Sequence, residues 1–182
     1  EIYEQILAGF NSPRLQFERS NGYAWFGREL LEAGDLKEAE RNLQQAALVR
    51  TFVEQTQNQD PDACLDLAEI LTDLGVAQAK LKQFQVAEEN FRKAHRIFSN
   101  PESYGEGDLE YRVTYDANIL LLLSNTLLAQ GRIKEAIASL QEAQRLQVRI
   151  PSSEKSSDAK AVFQLIDQRL ESLRSSLRSP QP

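Results

Sequence analysis

Small and apolar residues recur along the chain in a block that appears three times. The first block holds Tyr23, Phe26, Gly27 and Leu30, then Ala39, Leu43 and Ala46. The second holds Leu71, Leu74, Gly75 and Gln78, then Ala87, Phe91 and Ala94; the third Leu120, Leu123, Ser124 and Leu127, then Ala136, Leu140 and Ala143. Gly27, Gly75 and Ser124 are 48 and 49 residues apart, and each stands 12 residues before the first Ala of its block. Apolar positions such as Leu67, Ile70, Leu71 and Leu74 fall three and four apart, the stripe of an amphipathic helix, and nothing alternates at period two over a useful length. A fixed period of this size predicts stacked helical hairpins, an all-α chain with almost no strand.

The punctuation between blocks sets the register. Ser12-Pro13 places a capping side chain before a Pro at the first helical position, and Asp60-Pro61 repeats it 48 residues later. Asp108 and Asp158 follow at similar intervals. These residues predict first helices over about 13–33, 61–81, 109–130 and 159–178. Short polar turns at Gly34-Asp35, Lys82-Gln83 and Gly131-Arg132 lead into second helices over about 36–57, 84–98 and 133–149. The period makes residues 1–11 the tail of a preceding second helix, residues 12–58, 60–100 and 108–150 three repeats, and 158–178 a capping helix. The expectation is one continuous array over 1–182, a piece of a longer protein that begins inside a repeat, since there is no Met at position 1. In the last helix Val162, Leu165, Ile166, Leu170 and Leu173 form the expected packing stripe. Asn100 to Gly107 and Ile150 to Ser157, rich in Pro, Gly and Ser, are expected to be the mobile connections.

Composition narrows the picture without naming a function. The 182 residues are 41% hydrophobic, enough for a sizeable core, and the net charge of −6 gives no electrostatic reason to expect nucleic acid. The longest apolar run, Ile119 to Leu123, is far short of a membrane span, so a soluble chain is expected, with the cytoplasm as its compartment. The helices mix acidic and basic residues instead of carrying a cationic face, which argues against a membrane surface. The single Cys, Cys64, excludes an internal disulfide framework and reads as a small core filler.

At the residues of the repeated block the sequence resembles the tetratricopeptide repeat family. The match is best at Tyr23, Phe26-Gly27, Leu30, Ala39, Leu43 and Ala46, supported by the turn Gly34-Asp35-Leu36 and by Glu38-Ala39. The resemblance covers about 23–46, 71–94 and 120–143 and implies a right-handed superhelical stack of antiparallel helical hairpins. It departs from the family in its period, which exceeds the usual 34 residues by about 14 and so requires longer helices or loops. Ser124 replaces a Gly and Gln78 stands where Tyr is typical. Gly27, Gly75, Ala39, Ala87 and Ala136 are read as the points where the two helices of a hairpin approach closely. Long-period arrays of this kind also occur in bacterial multidomain regulators, including some attached to kinases.

Reactive chemistry is sparse. His95 is the only His, so neither a two-His metal site nor a Ser-His-Asp triad with a spare is available, and it sits directly after the packing residue Ala94. Cys64 lies 31 residues from it on another predicted helix. No Gly-rich phosphate loop exists. The expectation is therefore a noncatalytic protein with no cofactor and no metal.

Its partner is expected to be a protein or peptide, bound on the concave face lined by first helices. By helical phase the exposed candidates are Trp25, Arg28, Lys80, Asn118, Leu121 and Asn125. Trp25 and Arg28, three apart, offer an aromatic anchor and a guanidinium for a carboxylate. Asn118 and Asn125, seven apart, offer amides to an extended backbone. Trp25 reads equally well as a residue packed against the N-terminal segment. Leu121, Leu122 and Leu128 make the third repeat's groove apolar, suited to an amphipathic helix or to the chain's own C-terminal helix. The rival reading is a structural spacer or a homodimerising, regulatory module of a larger protein.

Overall fold

The computed structural model describes residues 12–56, 61–100, 109–151 and 155–178. Among them all regular structure is helical: α1 (Pro13–Ala33), α2 (Leu36–Thr56), α3 (Pro61–Lys80), α4 (Phe84–Ser99), α5 (Leu109–Ala129), α6 (Ile133–Leu146) with a 3-10 turn at Gln147–Arg149, and α7 (Ser157–Arg178). The all-α class and the hairpin order are those expected from the period. Part of the extra length over the usual repeat goes into the helices, as α1, α2 and α5 run to 21 residues each.

Three hairpins turn in the same way. The last turns of α1, α3 and α5 each close with a residue in the left-handed region, Gly34 (φ 84°), Lys82 (φ 63°) and Gly131 (φ 75°). In each, the amide of that residue donates three residues back and the next amide donates five back: Gly34 to Leu31 and Asp35 to Leu30, Lys82 to Ala79 and Gln83 to Gln78, Gly131 to Leu128 and Arg132 to Leu127. This double bond satisfies the carbonyls that a helix end leaves open and reverses the chain. Asp35 then serves α2 as well, its carboxylate accepting the Glu38 amide at 3.4 Å.

Helix starts agree with the sequence in part. Ser12 Oγ accepts the Leu15 amide at 3.3 Å ahead of Pro13, as expected. Asp60, Asp108 and the segment 1–11 lie outside the described residues. Asp158 is not the cap of the last helix, which begins one residue earlier; Ser156 takes that role, its Oγ accepting the Ala159 amide at 3.2 Å, and Asp158 occupies the first turn. The expected mobile connections fall largely at 101–108 and 152–154, outside the described residues, but Ile150 is buried.

The chain divides into two compact units, Glu1–Gly105 and Glu106–Pro182. In the first, α1 pairs with α2 and α3 with α4, and α2 packs on α3 to join the hairpins. Its interior holds Ala39, Leu43, Ala46, Leu74, Ala87, Phe91 and Ala94 of the repeated block, together with Ala68 and Ala77. The close approach is narrower than the sequence suggests: a Cβ on Gly27 would stand 2.7 Å from Leu43 Cγ, and one on Gly75 2.8 Å from the Phe91 ring, so glycine faces the bulky residue of the second helix. Phe26, by contrast, is half exposed.

In the second unit α5 pairs with α6, and α7 packs on both. Ser124, in the glycine position, is fully buried and turns its hydroxyl back to the Leu121 carbonyl at 2.7 Å. The stripe of α7 that packs is Ala159, Phe163, Ile166 and Leu170; Leu165, expected in it, is exposed because it lies on the far side of the helix.

Candidate functional site

The first-helix face of the first unit holds a polar cleft of about 230 Å³. Asn21, Trp25 and Arg28 come from α1, Asp66 and Glu69 from α3, and Arg50 rises from α2 between them. Spacings of three and four put the α1 residues on one helical stripe, facing the corresponding stripe of α3. Trp25 stands on the rim, 64% exposed. Arg28 reaches across to α3, its Nε 2.5 Å from Asp73 Oδ2 and its Nη2 3.3 Å from Glu69 Oε2. The guanidinium that the sequence offers to a partner's carboxylate is thus engaged by two carboxylates of its own chain. Burial raises the Asp73 pKa above the usual aspartate value; Arg28 opposes this through its hydrogen bond and charge, and the Glu69 charge adds to the rise.

Arg50 is the residue that sequence reading missed. Its side chain is 1% exposed, lies 3.8 Å above the Phe17 ring, donates from Nη2 to Asn21 Oδ1 at 2.5 Å, and approaches Asp66 Oδ2 to 3.3 Å through Nη1. One guanidinium thereby ties α1, α2 and α3 together. A signal for it exists: Arg50 continues the buried phase of Ala39, Leu43 and Ala46, and one period later that position is Phe98, also buried. A charge standing in core register demands partners.

A second polar contact joins the hairpins. Gln78, which replaces the family's Tyr, is buried; Asn90 donates to its carbonyl at 2.7 Å, and its amide donates to Glu40 at 3.2 Å. Gln83 reaches the same carboxylate at 3.2 Å. The departure from the family pattern is here an inter-repeat hydrogen-bond network linking α2, α3 and α4.

The remaining candidates are placed elsewhere. Lys80 is exposed near the end of α3 and does not line the cleft. Asn118, Leu121 and Asn125 belong to the second unit. Leu121 is buried at 6% exposure and presents little surface, because its phase turns it inward with Ala117 and Ser124. Asn125 accepts a hydrogen bond from Arg169 of α7 at 3.0 Å, so the capping helix occupies the side on which a peptide was expected. Asn118 lines a hollow of about 440 Å³ with Tyr111, Tyr115 and Val162. The tyrosine rings there lie 5.7 Å apart at 42°. Cys64 is buried on α3, and His95 lies on α4.

The first unit also carries a larger, apolar depression of about 900 Å³ on another side, between α2 and α4, with α3 as its floor. No helix among the described residues is long and apolar enough to cross a membrane.

Among the described residues, helices paired in hairpins with small residues at the crossings define a helical repeat protein. The tetratricopeptide repeat pattern matches residues 117–147, spanning α5 and α6. The chain resembles the solved structure of a TPR-like protein from Chlorobium tepidum TLS, at 18% identity and a TM-score of 0.64 over 89% of this chain and 98% of that one. It also resembles BtubC from P. vanneervenii, at 14% identity and a TM-score of 0.60 over 94% of this chain and 68% of that one. A search of curated proteins finds no match. These likenesses show the helical-repeat fold, with one stretch, residues 117–147, that carries the tetratricopeptide repeat pattern.

Proposed function

We propose that this chain is a noncatalytic scaffold that holds a peptide or protein partner on its first-helix face, with Trp25 as the anchor. The observation that carries this reading is Trp25 itself, 64% exposed at the edge of a cleft whose charges are already paired. A large indole left in water beside an ordered polar floor has the form of an interface hot spot, where aromatic area dominates binding. Arg28 and Glu69 line that floor, and the pairing of Arg28 with Glu69 and Asp73 fixes the guanidinium plane beside the indole. The buried state of Cys64 supports the noncatalytic reading.

The test uses peptides selected from a displayed random library on the whole chain. Trp25→Ala should weaken their binding at least about tenfold while the helical circular dichroism stays unchanged. Selected peptides that bind Trp25→Ala as tightly as wild type would remove the anchor from this face and the proposal with it.

A further inference from the structure

The depression between α2 and α4 lies on a different side of α3 from the Trp25 cleft. Helical phase separates the two: Asp66, Glu69 and Ile70 turn toward the cleft, while Leu67, Leu71 and Leu74, about a quarter-turn or more round the helix, form the floor of the groove. Both second helices pack on α3 but hardly on each other, which leaves a channel between them. Its two walls differ. On α2 stand Leu48 and Phe52, large apolar side chains on neighbouring turns that are 65% and 57% exposed. One period later the same positions are Arg96 on α4 and Asn100 just past its end, with Lys93 a turn earlier. Lys93 and Arg96 are exposed, and among the described residues neither side chain has a hydrogen-bond or ion-pair partner.

The form of the walls selects the occupant. Both are α-helices whose backbone groups are already bonded within the helix, so an extended strand would find no main-chain partners. Side chains at spacings of three and four make ridges into which another helix can interdigitate. The lining residues span Gln44 to Phe52 on one wall and Asn90 to Asn100 on the other, about two to three helical turns. Charge sets the remaining requirement: on a chain of net charge −6, the α4 wall is locally cationic.

We propose that this groove receives an acidic amphipathic helix of a partner protein. Its apolar stripe lies on Leu48, Phe52 and the leucines of α3, and its carboxylates pair with Lys93 and Arg96. The surface is independent of the Trp25 face.

The whole chain is titrated against two labelled helical peptides of about 15 residues that share one leucine stripe, flanked by Glu in one and by Lys in the other, with binding followed by anisotropy. The Glu peptide should bind saturably, and Phe52→Asp should weaken it at least about tenfold. Phe52 and Leu48 are exposed, so these variants keep the fold, and Leu48→Asp repeats the test at a second position. Lys93→Glu with Arg96→Glu should reverse the preference toward the Lys peptide. Trp25→Ala should leave binding unchanged.

No saturable binding of the Glu peptide below about 1 mM overturns the proposal, as does an unaltered preference in the charge-reversed variant. Binding lost in Trp25→Ala but kept in both Leu48→Asp and Phe52→Asp overturns it while upholding the first-helix face. A dimer seen by light scattering that Phe52→Asp dissolves assigns the groove to a second copy of the chain, which also overturns it.

Discussion

At Gly75 an added methyl would meet the Phe91 ring at 2.8 Å, and at Gly27 it would meet Leu43 Cγ at 2.7 Å; both neighbours are buried and have nowhere to retreat. Overpacking of this kind costs about 1–3 kcal/mol, against roughly 1 kcal/mol gained from alanine's better helix propensity. Gly27→Ala and Gly75→Ala should therefore lower stability, by up to about 2 kcal/mol in urea unfolding. Gly22, in the same helix as Gly27, has nothing within 4 Å of its Cβ position, so Gly22→Ala should raise stability by about 0.5–1 kcal/mol. Equal effects at the three positions would contradict the packing assigned to the crossings. Asp73 gives a second residue-scale expectation. Its native pKa is raised above the ordinary 3.8, first by burial, so the native chain binds this proton more tightly than the unfolded chain does. Ionising it costs stability, and that cost is relieved as pH falls from above the raised value to below 3.8. Measured against Asp73→Asn, wild type should gain stability on going from pH 7 to about pH 4. A difference that stays constant or runs the other way would refute this.

Where helix termini in this chain are capped by a side chain or closed by a left-handed glycine, the boundary is legible in the sequence. Ser12-Pro13, Gly34-Asp35 and Gly131-Arg132 announce their roles because capping and left-handed turns admit few residue types. The start of α7 is less legible, since Ser156, Ser157 and Asp158 are all competent caps and it is Ser156 that accepts the Ala159 amide, two residues ahead of the expected boundary. Lys82 is the irregular member of the series. It adopts φ 63° in the turn where its two counterparts are glycines. A side chain in the left-handed region costs about 1–2 kcal/mol, partly offset by the greater freedom of glycine in the unfolded chain. Lys82→Gly should thus stabilise the protein by about 0.5–1 kcal/mol, a rise in the urea midpoint with an unchanged slope. No rise would mean that the Lys82 side chain holds the turn by contacts that outweigh its strain.

Across the molecule, repeated positions build the scaffold and exceptions to the repeat carry its polar contacts. The repeat was readable because helix pairs force small residues to fixed spacings, whatever else the sequence does. The candidate sites were only half readable. Helical phase correctly exposes Trp25 and Lys80, yet it cannot show that Arg28 is held by Glu69 and Asp73, or that Asn125 is held by Arg169, because those partners lie 41 to 45 residues away on other helices. Leu48 and Phe52 stand outside the repeated block, and only the gap between α2 and α4 makes them surface. Trp25, the only Trp, reports on which surface is used. With 64% of it exposed, its emission should resemble free tryptophan in water, be quenched readily by acrylamide, and shift little on unfolding in urea. A large red shift on unfolding would mean that the ring is covered in solution, as expected if it packed against the N-terminal segment. If the ring is open, a partner on the first-helix face must desolvate it and move its emission to the blue. A helix seated between α2 and α4, where Trp25 lines nothing, must leave that emission unchanged, so a single spectrum distinguishes the two surfaces.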